Sequence, residues 1–552
     1  DRSLAALDRQ VEELELRYKL GQISALTLEQ VKLEPGQPEE LLVGKAAHML
    51  RIPTEDILNL SVLRRAVDAR QPLRLVYTLA VQVRGEKAVL RRCRDKSVTV
   101  YAPEYYTPPC PAAKDPDTPP VVVGAGPAGL FAALILANAG RRPILLERGQ
   151  PVKQRQKDVA AFWAGGQLNT ESNVQFGEGG AGAFSDGKLN TGTKDLRHRW
   201  ILEQLVSCGA PESILIDARP HVGTDRLHIA LKNLRRRLLD LGADIRFGHR
   251  LEGIEAPEGE LAALVVSGPE GSYRLPARQL ILALGHSARD TVEMLYDRGL
   301  SMEAKPFAVG VRIEHLQSHI DAVQYKEYAG HPALPVSTYK LSCHLPGGRS
   351  VFSFCVCPGG EVVAAASERE RTVTNGMSEY ARDGENINGG LLVNVMPEDF
   401  GSGHPLAGIA FQRRLEGAAY RLGGGYTAPC QRVEDFLLRR PSTGCGSVRP
   451  SFRPGVRYAD LHECLPEFIT QALEQALPIL DKKLPGFAHG DALLTAVESR
   501  SSAPVRIPRD ENYESNIRGV FPCGEGAGYA GGILSAAADG MRCAEKILAK
   551  NL

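Results

Sequence analysis

Apolar positions recur along the chain with two different periods. Leu4, Leu7, Val11, Leu14 and Tyr18 fall three and four apart, which predicts an amphipathic helix at the start of the chain. The seam is too short for an extended coiled coil, so packing on the chain's own first domain is expected. Leu41 to Leu50 repeats the helical pattern. Residues 57–65 and 73–83 alternate as strands, the second through Leu75, Tyr77, Leu79, Val81 and Val83. A small N-terminal α/β unit over residues 1–100 follows from these elements.

Seven prolines between Tyr101 and Pro120 exclude regular helix or sheet, so 101–120 reads as an extended linker. From Val121 the order becomes strand, glycine-rich loop, helix, strand. A helix near 226–241, a strand near 244–247, a hairpin-like stretch over 251–273 and an apolar strand over 279–284 continue it. Between about 302 and 490 strands and turns dominate, most clearly at 309–313 and 351–366. This order predicts a parallel cofactor sheet with a β-rich insertion.

Composition narrows the class. A chain of 552 residues exceeds one compact core. With 66 basic against 65 acidic residues, it carries no electrostatic footprint for nucleic acid or an anionic membrane. The longest weakly polar run, Val121 to Gly140, contains four glycines and a proline, so it reads as strand, loop and helix and not as a membrane span. No secretory signal stands at the end that begins with Asp1. The 11 cysteines are scattered and outline neither a disulfide framework nor a metal site, which points to reduced thiols in the cytoplasm. Cys355 and Cys357 share one face of an expected strand. Buried structural cysteines are the favoured reading there, and a redox pair is the sharper alternative.

The chemistry concentrates in three glycine-rich segments. Val121-Val122-Val123 runs into Gly124-Ala125-Gly126-Pro127-Ala128-Gly129 and then into a helix over 130–139. Gly124 permits the turn, Gly126 lets backbone approach a pyrophosphate, and Gly129 lets the helix pack on the strand. The helix N-terminus offers free N–H groups and partial positive charge to the diphosphate. A second strand, 143–146, ends in Glu147, 23 residues after Gly124. That acid suits a ribose hydroxyl and repels a 2′-phosphate, so the nucleotide is FAD or NAD and not NADP.

The second segment, Phe521 to Ile533, contains Gly524-Glu525 and Gly531-Gly532-Ile533 and precedes a helix over 534–548. Glu525 suits ribityl hydroxyls, and the helix start suits the flavin edge that gains negative charge on reduction. A simple NAD dehydrogenase needs no such distant element, so the choice falls on non-covalent FAD. The third segment, Gln175 to Leu189, has four glycines within Gly177–Gly182, and Gly180, Gly182, Ser185 and Lys188 are its candidate contacts.

These segments carry a family resemblance. Residues 124–147, 176–191, 220–225 (Pro-His-Val-Gly-Thr-Asp), 285–291, 354–360, 374–378 and 521–540 resemble the bacterial NAD(P)/FAD-dependent oxidoreductases, a family of uncharacterised FAD-dependent dehydrogenases. The likeness covers nearly everything after about Val31, including the N-terminal unit with Arg64, Asp68, Ala69 and Arg70. It implies bound FAD and a two-dinucleotide-binding-domain flavoprotein fold, related to glutathione-reductase-type and p-hydroxybenzoate-hydroxylase-type enzymes. It names no substrate.

The chain departs from two relatives. It lacks the Cys-x-x-Cys of a disulfide reductase near the first helix, and it shows no second complete dinucleotide fingerprint of strand, glycine turn, helix and acid-ended strand, which leaves NAD(P)H only as a transient electron donor. Of the chain's Asp-Gly pairs, the one that tempts as the pair expected of a flavin monooxygenase, Asp186-Gly187, comes too early and sits inside the glycine-rich loop. Dehydrogenase or reductase chemistry through flavin N5 therefore leads. Flavin monooxygenation, or a non-catalytic FAD-binding sensor or scaffold, stands as the alternative.

The fold class expected is α/β. An FAD domain is split over 121–300 and 491–552, and a β-rich substrate-side domain over 301–490 is inserted. Arg148 and Gly285 join the cofactor contacts. Arg500 and Arg506, which suit a carboxylate or phosphate, join Lys188 and His286 as catalytic candidates for a small, anionic substrate. Expected partners are that substrate, no nucleic acid, no membrane, and as an open alternative a second copy of the chain.

Overall fold

The computed structural model describes residues 25–110 and 118–550. The helix expected over 4–18 lies outside the described residues. The first domain is an antiparallel sheet with the strand order Ile57–Asp68, Arg74–Val83, Leu26–Leu33, Val98–Val100. Helix Leu41–Leu50 covers one face through Leu42, Ala46 and Leu50. The edge strand also reaches the next domain: Arg65 N donates to Ile216 O at 2.7 Å, and Ala218 N donates to Arg65 O at 2.8 Å. Residues 101–110 adopt no regular structure. They are pinned by Tyr106, whose hydroxyl donates to Glu545 at 2.6 Å.

The cofactor sheet has five strands, ordered Val520–Pro522, Leu280–Leu282, Val121–Val123, Ile144–Glu147, Asp244–Phe247. All neighbours run parallel. Parallel strands are buried on both faces, which is why 121–123 and 280–282 are uninterrupted apolar runs. The chain reverses direction across the sheet at Val121–Val123, and a crevice forms at such a switch point, outside the carboxyl ends of the strands. Helix Pro127–Asn138 lies between this sheet and the C-terminal helix Ile533–Lys550, and is buried almost all round. The two helices touch because Gly540 has no side chain; a Cβ there would sit 2.0 Å from Ala128 O.

The middle domain holds a seven-stranded sheet, ordered Ser342–His344, Ser350–Cys357, Asn386–Val395, Phe307–Leu316, Leu493–Glu498, Ala428–Arg432, Val456–Tyr458. Two 17-residue helices, Ala407–Gly423 and Glu467–Lys483, pack on it. The strand-and-turn reading of this stretch missed both helices. A boundary at 491 also needs correction. Leu493–Glu498 pairs with Phe307–Leu316 and with Ala428–Arg432, so the chain returns to the cofactor domain only after this strand. The strand is buried at every position, which suits either sheet, and pairing partners, not period, decide which.

Candidate functional site

One cavity begins at the carboxyl ends of the parallel strands and extends to the middle sheet. Gly124, Gly126, Pro127, Ala128, Glu147 and Arg148 form its first wall. Gly124 has φ +105°, and a Cβ would lie 2.2 Å from Ala283 O. Gly129 sits behind this wall, where a Cβ would meet Gly124 O at 1.8 Å. Gly126 differs: a Cβ there meets only Gly180 Cα, at 3.8 Å. No side chain caps the helix that Pro127 begins, so its first N–H groups remain available at the cavity.

Glu147 ties the loops together. It accepts from Ala125 N at 2.8 Å, Gly149 N at 2.8 Å and Gly177 N at 2.9 Å. A carboxylate has about four acceptor positions, so one remains for a ligand hydroxyl. Arg148 lies 4.1 Å from the Phe176 ring centre and is paired with Glu171 and Asp290.

The second wall joins the other glycine-rich segments. Gly180, Gly182 and Ser185 line it with Gly524, Glu525, Gly532 and Ile533. Gly524 N donates to the buried Asp539 at 2.8 Å, and Arg509 closes on the same carboxylate. Gly285 and Gly532 both have positive φ, and a Cβ on either would meet nothing within 4 Å. Protein contacts therefore leave space there for a ligand, as they do at Gly126. These openings, the uncapped helix and the spare acceptor on Glu147 fit a dinucleotide with a flat ring. Glu525 has no side-chain hydrogen bond among those found in the described residues. Burial pushes it up to about 7 against the pull of Lys305, and Cys355 adds to the rise. Gly531 is exposed and lies just outside the cavity lining, next to Gly532.

The far end is built by the middle domain. Arg312, Phe354, Cys355, Asn375 and Glu498 line it together with Asp186, Lys188, His286 and Arg500. Each cation there is paired with an acid. Lys188 Nζ lies 3.0 Å from Asp186, Arg312 Nη2 donates to Glu498 at 2.8 Å, and Arg500 closes on Glu416 at 3.0 Å. Arg289 closes on the same Glu416 at 2.7 Å. The Arg500 fork is thus filled by protein, which corrects its expected role as a substrate anchor.

Arg506 is corrected as well. It is exposed on a short ribbon with Glu303–Ala304, with its guanidinium 5.3 Å from the Tyr529 ring. Each lining cation at this end thus has an acid against it, but the acids are shared: Asp186 also closes on Arg382 and Glu416 on Arg289. His286 does line the cavity. Burial, with Arg500 and Arg289 adding, lowers it to about 3, so it is a neutral imidazole near pH 7.

Sequence reasoning missed Arg312 and Glu498 as site residues, since each lies on an apolar strand with no motif of its own. It favoured a structural role for Cys355, although the segment Phe354 to Gly360 stood out.

Comparison with known proteins matches residues 120–186 to an FAD binding domain, 306–501 to the C-terminal domain-like region of an FAD-dependent protein, and 26–84 to a domain of unknown function. An uncharacterised protein of Clostridium beijerinckii is 45% identical over 531 residues, covering 95% of this chain and 99% of that one. The Streptomyces rimosus 12-dehydrotetracycline 5-monooxygenase/anhydrotetracycline 6-monooxygenase is 28% identical over 173 residues, 29% of each chain. Among solved structures, the flavin-dependent brominase Bmp2 aligns over 78% of each chain at 12% identity, with a TM-score of 0.37. Among the described residues no helix is long and apolar enough to cross a membrane.

Proposed function

Since this chain belongs to one family of FAD-dependent proteins with its Clostridium beijerinckii relative, we propose that it is an FAD-dependent dehydrogenase or reductase whose small substrate docks at the middle-domain end of the cavity. One observation carries this reading. A single cavity is walled by both dinucleotide-binding segments at one end and by the Lys188, Arg312 and Glu498 cluster at the other. FAD, when bound, supplies two-electron chemistry at its ring.

The chain's own groups do the rest. The N-terminus of Pro127–Asn138 would hold the diphosphate, and the free acceptor on Glu147 would take a ribose hydroxyl. Glu525 and the start of Ile533–Lys550 would hold the ribityl chain and ring edge. Asp186, Lys188, Arg312 and Glu498 enclose a chamber lined by paired charges, which suits a small polar substrate. NAD(P)H is the transient electron donor in this reading.

Purified protein should be yellow and release FAD on heating. Under anaerobic conditions NADH or NADPH should bleach the flavin absorbance. Protein that holds no FAD after reconstitution would overturn the proposal. Partial likeness to the Streptomyces rimosus monooxygenase favours oxygen insertion as a second reading, and donor-dependent oxygen uptake coupled to a hydroxylated product would select it.

A further inference from the structure

Cys355 and Cys357 lie at the end of strand Ser350–Cys357. In a regular strand two such residues stand about 6.6 Å apart with side chains parallel, near the limit that a disulfide spans. This strand is not regular. Its ladder with Asn386–Val395 steps from Phe354–Gly390 to Cys357–Asn388, so one extra residue is inserted as a bulge. Cys355 takes the left-handed φ of +42°, which is uncommon for a side chain of its kind. The result folds the Cys357 side chain back over Cys355: Cys357 Sγ donates to Cys355 O at 3.3 Å.

The bulge is held by the site's cations. Arg312 Nη1 donates to Cys355 O at 2.7 Å, and Lys188 Nζ donates to Val356 O. Two cationic donors therefore grip consecutive carbonyls of the bulge. Cys355 lines the cavity, while Cys357 is fully buried behind it. The environments are also unequal. The neighbouring Cys357 thiol, with Lys188 and Arg312, holds Cys355 well below its ordinary value against the pull of burial. Its neighbour Cys355 and burial push Cys357 up. One sulfur is arranged as an accessible thiolate and the other as the thiol that keeps its proton.

We propose that Cys355 and Cys357 are a redox-active dithiol that exchanges an electron pair with the flavin across the cavity they share. The inference rests on FAD occupying that cavity. The step balances. The Cys355 thiolate and the Cys357 thiol form an Sγ–Sγ bond, and the S–H bond of Cys357 breaks. Two electrons and that one proton pass to oxidised FAD, which becomes anionic reduced flavin. In reverse, reduced flavin opens the disulfide and returns the proton to Cys357.

The test uses the FAD-loaded full chain. Fully oxidised wild type, titrated anaerobically with dithionite, should take up two electron pairs per FAD, since each couple carries two electrons. Cys355→Ser and Cys357→Ser should each take up one pair. Samples drawn during the titration, acid-quenched and alkylated with N-ethylmaleimide, should gain label at residues 355 and 357 only on reduction. One electron pair per FAD in yellow wild type, with both cysteines labelled throughout, would overturn the dithiol and leave the flavoenzyme reading intact. A wild type that cannot be loaded with FAD would overturn both.

Discussion

Arg500 closes a two-armed ion pair on Glu416 inside the protein, with Nε and Nη2 each 3.0 Å from a carboxylate oxygen. Arg289 donates to both oxygens of the same carboxylate from the other side. The three residues come from a loop after the middle sheet, a helix of the middle domain and the helix Arg289–Asp297 of the cofactor domain. Arg500 also donates to Ser287 at 3.1 Å, beside His286. The cluster therefore joins the domains at the edge of the cavity.

Removing the shared acid should be costly. Glu416→Ala leaves two buried guanidiniums facing each other, and breaking a buried pair from one side costs about 3–5 kcal/mol. The pH dependence follows. Burial alone would raise Glu416, but Arg289 and Arg500 outweigh it and hold the carboxyl well below its ordinary range. A depressed acid stabilises the fold above its unfolded pKa and loses that contribution as pH falls through the folded value. Urea unfolding midpoints of wild type and Glu416→Ala should converge as the pH is lowered through the acid range. A constant gap across that range would contradict the assignment.

His286 should not act as a proton donor near neutrality. Its folded value, about 3, lies below the ordinary 6.5, so its contribution to stability is fully present above about pH 6.5 and is lost as pH falls toward 3. Flavin reduction by NAD(P)H should show no inflection between pH 5 and 8 that His286→Gln removes. Rates within about threefold of wild type are expected for that variant, because a neutral hydrogen bond is exchanged for another.

Gly126 and Gly129 should fail in different ways. A Cβ at residue 126 meets protein only at 3.8 Å, so Gly126→Ala should fold with an unchanged melting temperature and lose at least about tenfold in FAD affinity, roughly 1.4 kcal/mol. A Cβ at residue 129 would stand 1.8 Å from Gly124 O, so Gly129→Ala should lose stability before it loses cofactor. Thermal melts of the apo-proteins, paired with FAD titration, separate the two. Equal loss of melting temperature in both variants would refute the distinction.

The dinucleotide segment was legible because its determinants are local. Strand Val121–Val123, the turn at Gly124, the helix from Pro127 and the acid at Glu147 lie within 27 residues, and each follows from a neighbour's sterics or hydrogen bonds. The C-terminal Gly524-Glu525 element and its helix were legible for the same reason. Arg500 was read as a fork seeking an anion, and the fork was real. Its partner, Glu416, is 84 residues away, and no local pattern links them. Cys355 and Cys357 were read through strand alternation, which fails where a bulge adds a residue.

The sequence by itself thus determined where backbone must turn tightly, which runs are buried and where a helix begins at the cavity wall. Those features depend on φ, on the absence of a Cβ and on the period of apolar residues. Only the tertiary structure decided which sheet receives Leu493–Glu498, which acid pairs with each buried cation, and that Arg506 lies outside the cavity lining while Cys355 is part of it. Pairing across long loops is set by whole-domain packing and by the cost of leaving a buried charge unpaired, and neither is written in any short stretch of residues.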